Sequence, residues 1–229
     1  MSDHPHAGQP VLHSGVATVR ARLAMILVHG RGGSAEEMLT LAREFASPDL
    51  ALLAPQAAGY TWYPYSFLAP IAANEPGITS GMAVLEGLVD SLRADGVTSD
   101  RIFLLGFSQG ACLSLEFAAR HARRYAGVIA LSGGLIGPDA TPRNYAGTFD
   151  QTPVLLGCSD VDPHIPVGRV RESAAVFRRM GAAVDERIYP RMGHTVNEDE
   201  IEAVRALLDI TLRAPSTPAA APPPAPACR

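Results

Sequence analysis

Five consecutive residues, Gly106-Phe107-Ser108-Gln109-Gly110, put a serine at the centre of a G-x-S-x-G pentapeptide. The apolar run Ile102-Phe103-Leu104-Leu105 comes directly before it. A strand, a sharp turn and a helix form the setting in which such a serine becomes a nucleophile. The turn strains the backbone and pushes Oγ into the open. Glycines two residues to either side let the strand and helix cross closely, where a Cβ would collide. A serine hydroxyl is a weak nucleophile at its own pKa. It needs a base within hydrogen-bond reach and an acid that orients the base. It also needs N–H donors for the charge that develops on the attacked carbonyl.

The chain offers a candidate for each, in the order Ser, Asp, His. The acid is Asp162, in Ser159-Asp160-Val161-Asp162-Pro163-His164-Ile165-Pro166. Asp160 is its rival. The Asp-Pro step and the helix expected after Pro166 favour Asp162 as the side chain aimed across the strand ends. The base is His194, in Tyr189-Pro190-Arg191-Met192-Gly193-His194, where Gly193 is expected to provide the sharp turn. His29 precedes the serine, His164 stands only two residues from Asp162, and His121 falls at a helix end, where the dipole favours a histidine. His4 and His6 are expected in an N-terminal tail, without partners for a metal. One oxyanion donor is the N–H of Gln109, directly after the nucleophile. The second is assigned to the N–H of Arg31, in His29-Gly30-Arg31-Gly32-Gly33, whose glycines permit close approach. That loop lacks both G-x-x-x-x-G-K-[ST] and G-x-G-x-x-G, so a phosphate cradle is the weaker reading.

These residues need elements to hold them. Apolar runs at 23–28, 50–53, 101–106, 125–131, 154–156 and 183–189 read as strands. Helical patterns begin at Ser34 and cover about 80–94, 109–121, 167–180 and 198–212. Residues 55–79 form a connection rich in aromatics, and 133–152 a loop broken by Pro138 and Pro142. Strands alternating with helices predict an α/β fold, a mostly parallel sheet with helices on both faces. In such sheets the site is built from loops at the carboxyl ends of the strands, where every candidate above falls.

The composition sets the outer limits. The chain has 229 residues, 47% hydrophobic and 18% charged, with a net charge of −4, which suits one α/β domain and offers no basic field for nucleic acid. No apolar run approaches the roughly 18 residues of a membrane helix. The first residues lack the pattern of a secretory signal. Three sparse cysteines, Cys112, Cys158 and Cys228, suit a reducing cytoplasm. The expected organisation is an extension over 1–15, a catalytic domain over 16–213 and a disordered Ala/Pro-rich tail over 214–229. No cofactor or metal is called for. A homodimer is the default expectation, because closed two-fold oligomers are common.

Taken together, these residues resemble the phospholipase/carboxylesterase branch of the α/β-hydrolases, which includes acyl-protein thioesterases and small bacterial carboxylesterases. The matching pieces are Leu27-Val28-His29-Gly30, Ala54-Pro55, Thr61-Trp62-Tyr63, the Ser108 pentapeptide, Asp162-Pro163-His164-Ile165-Pro166 and Gly193-His194. The resemblance runs from about Leu23 to Leu212. It implies an α/β-hydrolase fold without a large lid domain, a Ser108–His194–Asp162 triad, Arg31 and Gln109 as oxyanion donors, and hydrolysis without a metal. Arg31-Gly32-Gly33, Trp62-Tyr63-Pro64 and Gly157-Cys158 depart from the thioesterase pattern and point to the bacterial esterase side.

Trp62 and Tyr63 are the candidate wall of an acyl pocket, and their bland alternative is core packing. The leading expectation is a serine carboxylesterase acting on small to medium acyl esters. A thioesterase or lysophospholipase would differ in the acyl pocket alone. A peptidase or acyltransferase would use the same triad. A non-catalytic binding protein on this fold is the reading from another class.

Overall fold

The computed structural model describes residues 3–214. The expected tail beyond Ala214, Cys228 included, lies outside them. Seven strands form one sheet in the order β1-β3-β2-β4-β5-β6-β7. They are β1 (Val11–Gly15), β2 (Leu23–Val28), β3 (Leu50–Pro55), β4 (Ile102–Phe107), β5 (Gly127–Leu131), β6 (Pro153–Ser159) and β7 (Ala183–Tyr189). β2 to β7 run parallel, and β1 pairs antiparallel with β3 along one edge. Four α-helices connect them and a fifth follows β7: α1 (Ala35–Leu41), α2 (Gly77–Ala94), α3 (Gln109–Arg120), α4 (Val167–Arg179) and α5 (Glu198–Arg213).

The strand period of two sorts the core into two layers. Ala24, Ile26 and Val28 of β2 and Ile102 and Leu104 of β4 face α2, α3 and α4. Leu23, Met25 and Leu27, with Phe103 and Leu105, face α1 and α5. Central strands buried on both faces must be continuously apolar, and β2, β3 and most of β4 are. Helices therefore cover both faces, as expected.

The extension expected over 1–15 turns out to be built into this fold. β1 caps the β3 edge, with Val11 opposite Pro55. β3 runs through Pro55 rather than stopping before it; Pro55 lies beyond the β2 register, which ends at Leu53, and pairs on the β1 side alone. His6 is 3% exposed, not in a free tail. Its Nδ1 accepts from the Ala58 N–H and its Nε2–H donates to the Trp62 carbonyl at 2.8 Å, so the ring is held neutral with one proton. Burial pushes its pKa down.

The long loop between β5 and β6 is ordered by buried charge. Glu116 of α3 accepts from Arg120, from the Tyr145 hydroxyl and from the Ile136 N–H. Arg143 and Arg169 both bond the Leu135 carbonyl and both pair with Glu172.

Candidate active site

Ser108 links β4 to α3 with φ 54° and ψ −118°, a left-handed conformation that side chains avoid. Its N–H donates to the Leu131 carbonyl at 2.9 Å, which ties the turn to β5. The flanking glycines are required sterically. A Cβ at Gly106 would overlap the Gly110 backbone, and one at Gly110 would overlap the carbonyls of Val28 and His29.

Asp162 and His194 come to this serine from the ends of β6 and β7. His194 Nδ1 lies 2.7 Å from Asp162 Oδ2, and Nε2 lies 2.8 Å from Ser108 Oγ. A carboxylate only accepts, so Nδ1 carries the ring proton and Nε2 is left to accept from the serine hydroxyl. The Asp162 side chain is fully buried and that of His194 is 18% exposed. Burial alone would raise the Asp162 pKa. The His194 hydrogen bond and the N–H groups of His164 and Ile165, at 2.8 and 3.0 Å on Oδ1, outweigh it and hold the carboxyl below its ordinary value.

The rival acid, Asp160, has a different place. Its Oδ1 accepts from the Arg191 N–H at 2.7 Å and so joins the two loops. Arg191, not Gly193, takes the positive φ of the His194 turn, at 54°. Gly193 has open space where a Cβ would stand. Of the other histidines, His164 packs edge-on against the His194 ring at 4.9 Å, and His121 stacks on Phe117.

The Gly-rich loop after β2 approaches the serine from the other side. The His29 ring is 1% exposed as a residue, and its Nε2 accepts from the Ala57 N–H. Nδ1 therefore donates to the Gly30 carbonyl, at 2.6 Å. Fixing that carbonyl fixes the peptide whose other end is the Arg31 N–H. Gly32 and Gly33 spend their N–H groups on Tyr60 and Gly30. Gln109 opens α3, so its N–H has no intrahelical carbonyl.

Two roles of side chains here carry no local sequence signal. The Gln109 amide accepts from the Trp62 N–H at 2.8 Å and donates to the Tyr63 carbonyl at 2.8 Å, clamping the aromatic loop. The Arg31 guanidinium closes the same loop from above, bonding Thr61, Pro64 and Tyr65. Both partners lie dozens of residues away in sequence.

Trp62 does not wall the cleft. It is fully buried, its ring 5.2 Å from the rings of both His6 and His29, with Nε1 donating to the His29 carbonyl. Large area and one polar handle make it a brace beneath the Gly-rich loop. Tyr63 does reach the cleft, a hollow of about 470 Å³ that also touches Phe67, Cys112, His164 and Ile165. Burial pushes the Cys112 thiol up to about 12, so it behaves as a small apolar group.

Among the described residues, no group of three or more His, Cys, Asp or Glu side chains could hold a metal ion, and no helix is long and apolar enough to cross a membrane.

Residues 16–212 match the profile of the phospholipase/carboxylesterase family. A crystal structure of a phospholipase/carboxylesterase from Dyadobacter fermentans is 42% identical and superposes with a TM-score of 0.85, covering 91% of this chain and 99% of that one. Among sequence relatives, a putative esterase, NocK, of Nocardia uniformis is 32% identical over 71% of this chain and 45% of its own length. Acyl-protein thioesterase 1 of Gibberella zeae is 30% identical over 58% of this chain and 57% of its own. The chain thus spans about half the length of these two relatives. A parallel sheet with an elbow serine at its centre, and a profile matched from Val16 to Leu212, place this chain in the phospholipase/carboxylesterase family of α/β-hydrolases.

Proposed function

We propose that this chain is a serine hydrolase that cleaves small to medium carboxylic esters through an acyl-enzyme. The observation that carries the reading is the continuous relay from Ser108 Oγ to His194 to Asp162, at 2.8 and 2.7 Å, on a strained elbow. Ser108 Oγ attacks the ester carbonyl while His194 Nε2 takes its proton. The N–H groups of Arg31 and Gln109 receive the oxyanion. His194 then protonates the departing alcohol, and Asp162 holds the imidazolium that forms in between. Water, deprotonated by His194, attacks the acyl-enzyme and frees the acid.

The size range rests on the cleft. Its lining includes Cys112 and Tyr63, both nearly or fully buried, which favours acyl groups of modest length. A cytoplasmic setting fits two buried, unpaired thiols, Cys112 and Cys158.

The test is kcat/KM on p-nitrophenyl esters from acetate to palmitate, with Ser108→Ala as the blank. The expected result is a Ser108-dependent maximum at short chains, and a loss in Ser108→Ala on the order of 10⁶-fold in kcat. A rise toward palmitate would replace this reading with a long-chain acyl hydrolase. Turnover that survives Ser108→Ala would remove the assignment altogether.

A further inference from the structure

Two hollows meet at His194. The first holds Ser108 and Gln109 and has been described. The second, of about 640 Å³, lies between α1 and the loop after β7. Its walls are Met38 and Leu41 of α1, Phe107 and Val196, with the Gly32–Gly33 backbone along one side. Both hollows touch Gly30, Arg31, Phe107 and His194; only the first reaches Ser108.

The chemistry sorts them, given the ester-hydrolase reading above. The carbonyl carbon bonds to Ser108 Oγ, and its oxygen faces the Arg31 and Gln109 N–H groups. Its two remaining substituents must diverge. The acyl group stays on Ser108 through both half-reactions, so it belongs in the hollow that contains Ser108. The leaving oxygen must lie within hydrogen-bond reach of His194 Nε2 to be protonated. Its substituent belongs in the hollow that borders His194 without reaching Ser108. We infer that the hollow between α1 and the His194 loop is the leaving-group subsite, and that it takes apolar, uncharged alcohols and phenols.

Its charge pattern sets the second half of that statement. Glu37 lines it, with a carboxylate oxygen on the Ser34 N–H. The Arg31 guanidinium faces the other way, bound to the carbonyls of Pro64 and Tyr65. A carboxylate on the leaving group would meet Glu37, while the Arg31 guanidinium is held toward Pro64 and Tyr65. The walls supply apolar contact from four side chains.

Leu41 is half-buried at this wall, so its size can be changed both ways. Leu41→Trp fills the hollow and Leu41→Ala enlarges it. Two substrate sets separate the subsites: acetates of ethanol, phenol and 1-naphthol, and p-nitrophenyl esters of increasing acyl length. Leu41→Trp is expected to lower kcat/KM for 1-naphthyl acetate at least tenfold more than for ethyl acetate. Leu41→Ala should move that ratio the opposite way, which a poorly folded protein would not do. The ranking of acyl lengths, and the partition of a common acyl-enzyme between water and hydroxylamine, should stay as in the parent chain. Glu37→Gln, which keeps an acceptor for the Ser34 N–H, should raise the ratio of 3-acetoxybenzoate to phenyl acetate hydrolysis several-fold. The assignment is overturned if the Leu41 variants shift the acyl ranking and leave the alcohol ranking alone, or shift neither. Hydrolysis that does not depend on Ser108 would instead overturn the hydrolase reading on which the subsite rests.

Discussion

The two halves of the site are held by different physics. Ser108, the proposed nucleophile, and the Gly-rich loop proposed to bind the oxyanion stand on β4 and β2, central strands buried on both faces. There the geometry is enforced by contact: glycines where a Cβ would strike backbone, and the Trp62 ring packed against that of His29 beneath the loop. Asp162 and His194, the proposed acid and base, follow β6 and β7, the latter an edge strand whose residues are mostly half-exposed. Their loops are held by carboxylates. Asp162 takes hydrogen bonds from His194, from the N–H groups of His164 and Ile165 and from the Cys158 thiol, Asp160 ties Arg191, and Glu200 ties Asn197. Steric constraint is indifferent to pH, whereas carboxylate constraint is not. One half should therefore fail by overlap and the other by a change of protonation, Asp162 on gaining a proton and Glu200 on losing one.

Asp162→Asn gives the largest expected effect. An asparagine retains the shape but offers the wrong partner for the His194 tautomer, and the expected loss is about 10⁴-fold in kcat. Circular dichroism should show an intact fold. A loss of less than about tenfold would mean that another group orients His194. The variant also removes a pH-dependent contribution. The Asp162 pKa is depressed in the folded chain, so its stabilisation is present above the ordinary value of 3.8 and is lost as pH falls through the depressed one.

Gly110→Ala attacks the steric half. The new Cβ meets the carbonyls of Val28 and His29, so β2 and α3 cannot keep their distance. The expected cost is about 3 kcal/mol of stability, together with loss of the oxyanion geometry. Urea melts at pH 5 and pH 8 should show a similar deficit, because no titrating group is involved. A deficit that grew with pH would contradict the division into steric and ionic halves.

What was legible in the sequence follows the same division. Steric rules act locally, so they leave short patterns. Gly106 and Gly110 around Ser108, the apolar runs of the central strands, and the Ser34 N-cap of α1 all show in a few residues. The triad candidates fell on strand ends because α/β topology puts all such loops on one rim. Long-range contacts leave no such trace. β1 is a short, half-exposed strand, and His6 finds its partners at Ala58, Trp62 and Ser80. Nothing near His6 in sequence announces them. Trp62 read as a pocket wall because an aromatic in a loop after a strand suits either a cleft or a core. Its neighbours His6 and His29, distant in the chain, decide for the core. The turn at His194 misled for another reason. Gly193 looked like the hinge, but the positive φ falls on Arg191, whose N–H is held by Asp160 from the neighbouring loop.

Glu200 offers the gentlest way to sharpen the comparison. It is fully buried at the start of α5, one oxygen on the Asn197 N–H and the other without a hydrogen-bond partner among the described residues. It lies over Gly157 of β6, where any Cβ would strike the carboxyl. Burial pushes its pKa up to about 7; the Asn197 N–H and Arg187 pull down, and Asp199 adds to the rise. A raised folded pKa means that stability is full below the ordinary 4.5 and is lost as pH rises through about 7. Glutamine keeps the acceptor for Asn197 and never ionises, and it suits this capping position as well as glutamate does. Glu200→Gln should therefore gain on the parent chain between pH 5 and pH 8, by on the order of 1–3 kcal/mol. Denaturation curves across that range would read it directly. A stability difference that stayed flat with pH would show that the Glu200 carboxyl ionises at its ordinary value in the folded chain, with its charge solvated. Because the Asn197 bond that ends the His194 loop is retained, kcat at pH 8 should change by no more than a few-fold, which separates holding the loop from doing the chemistry.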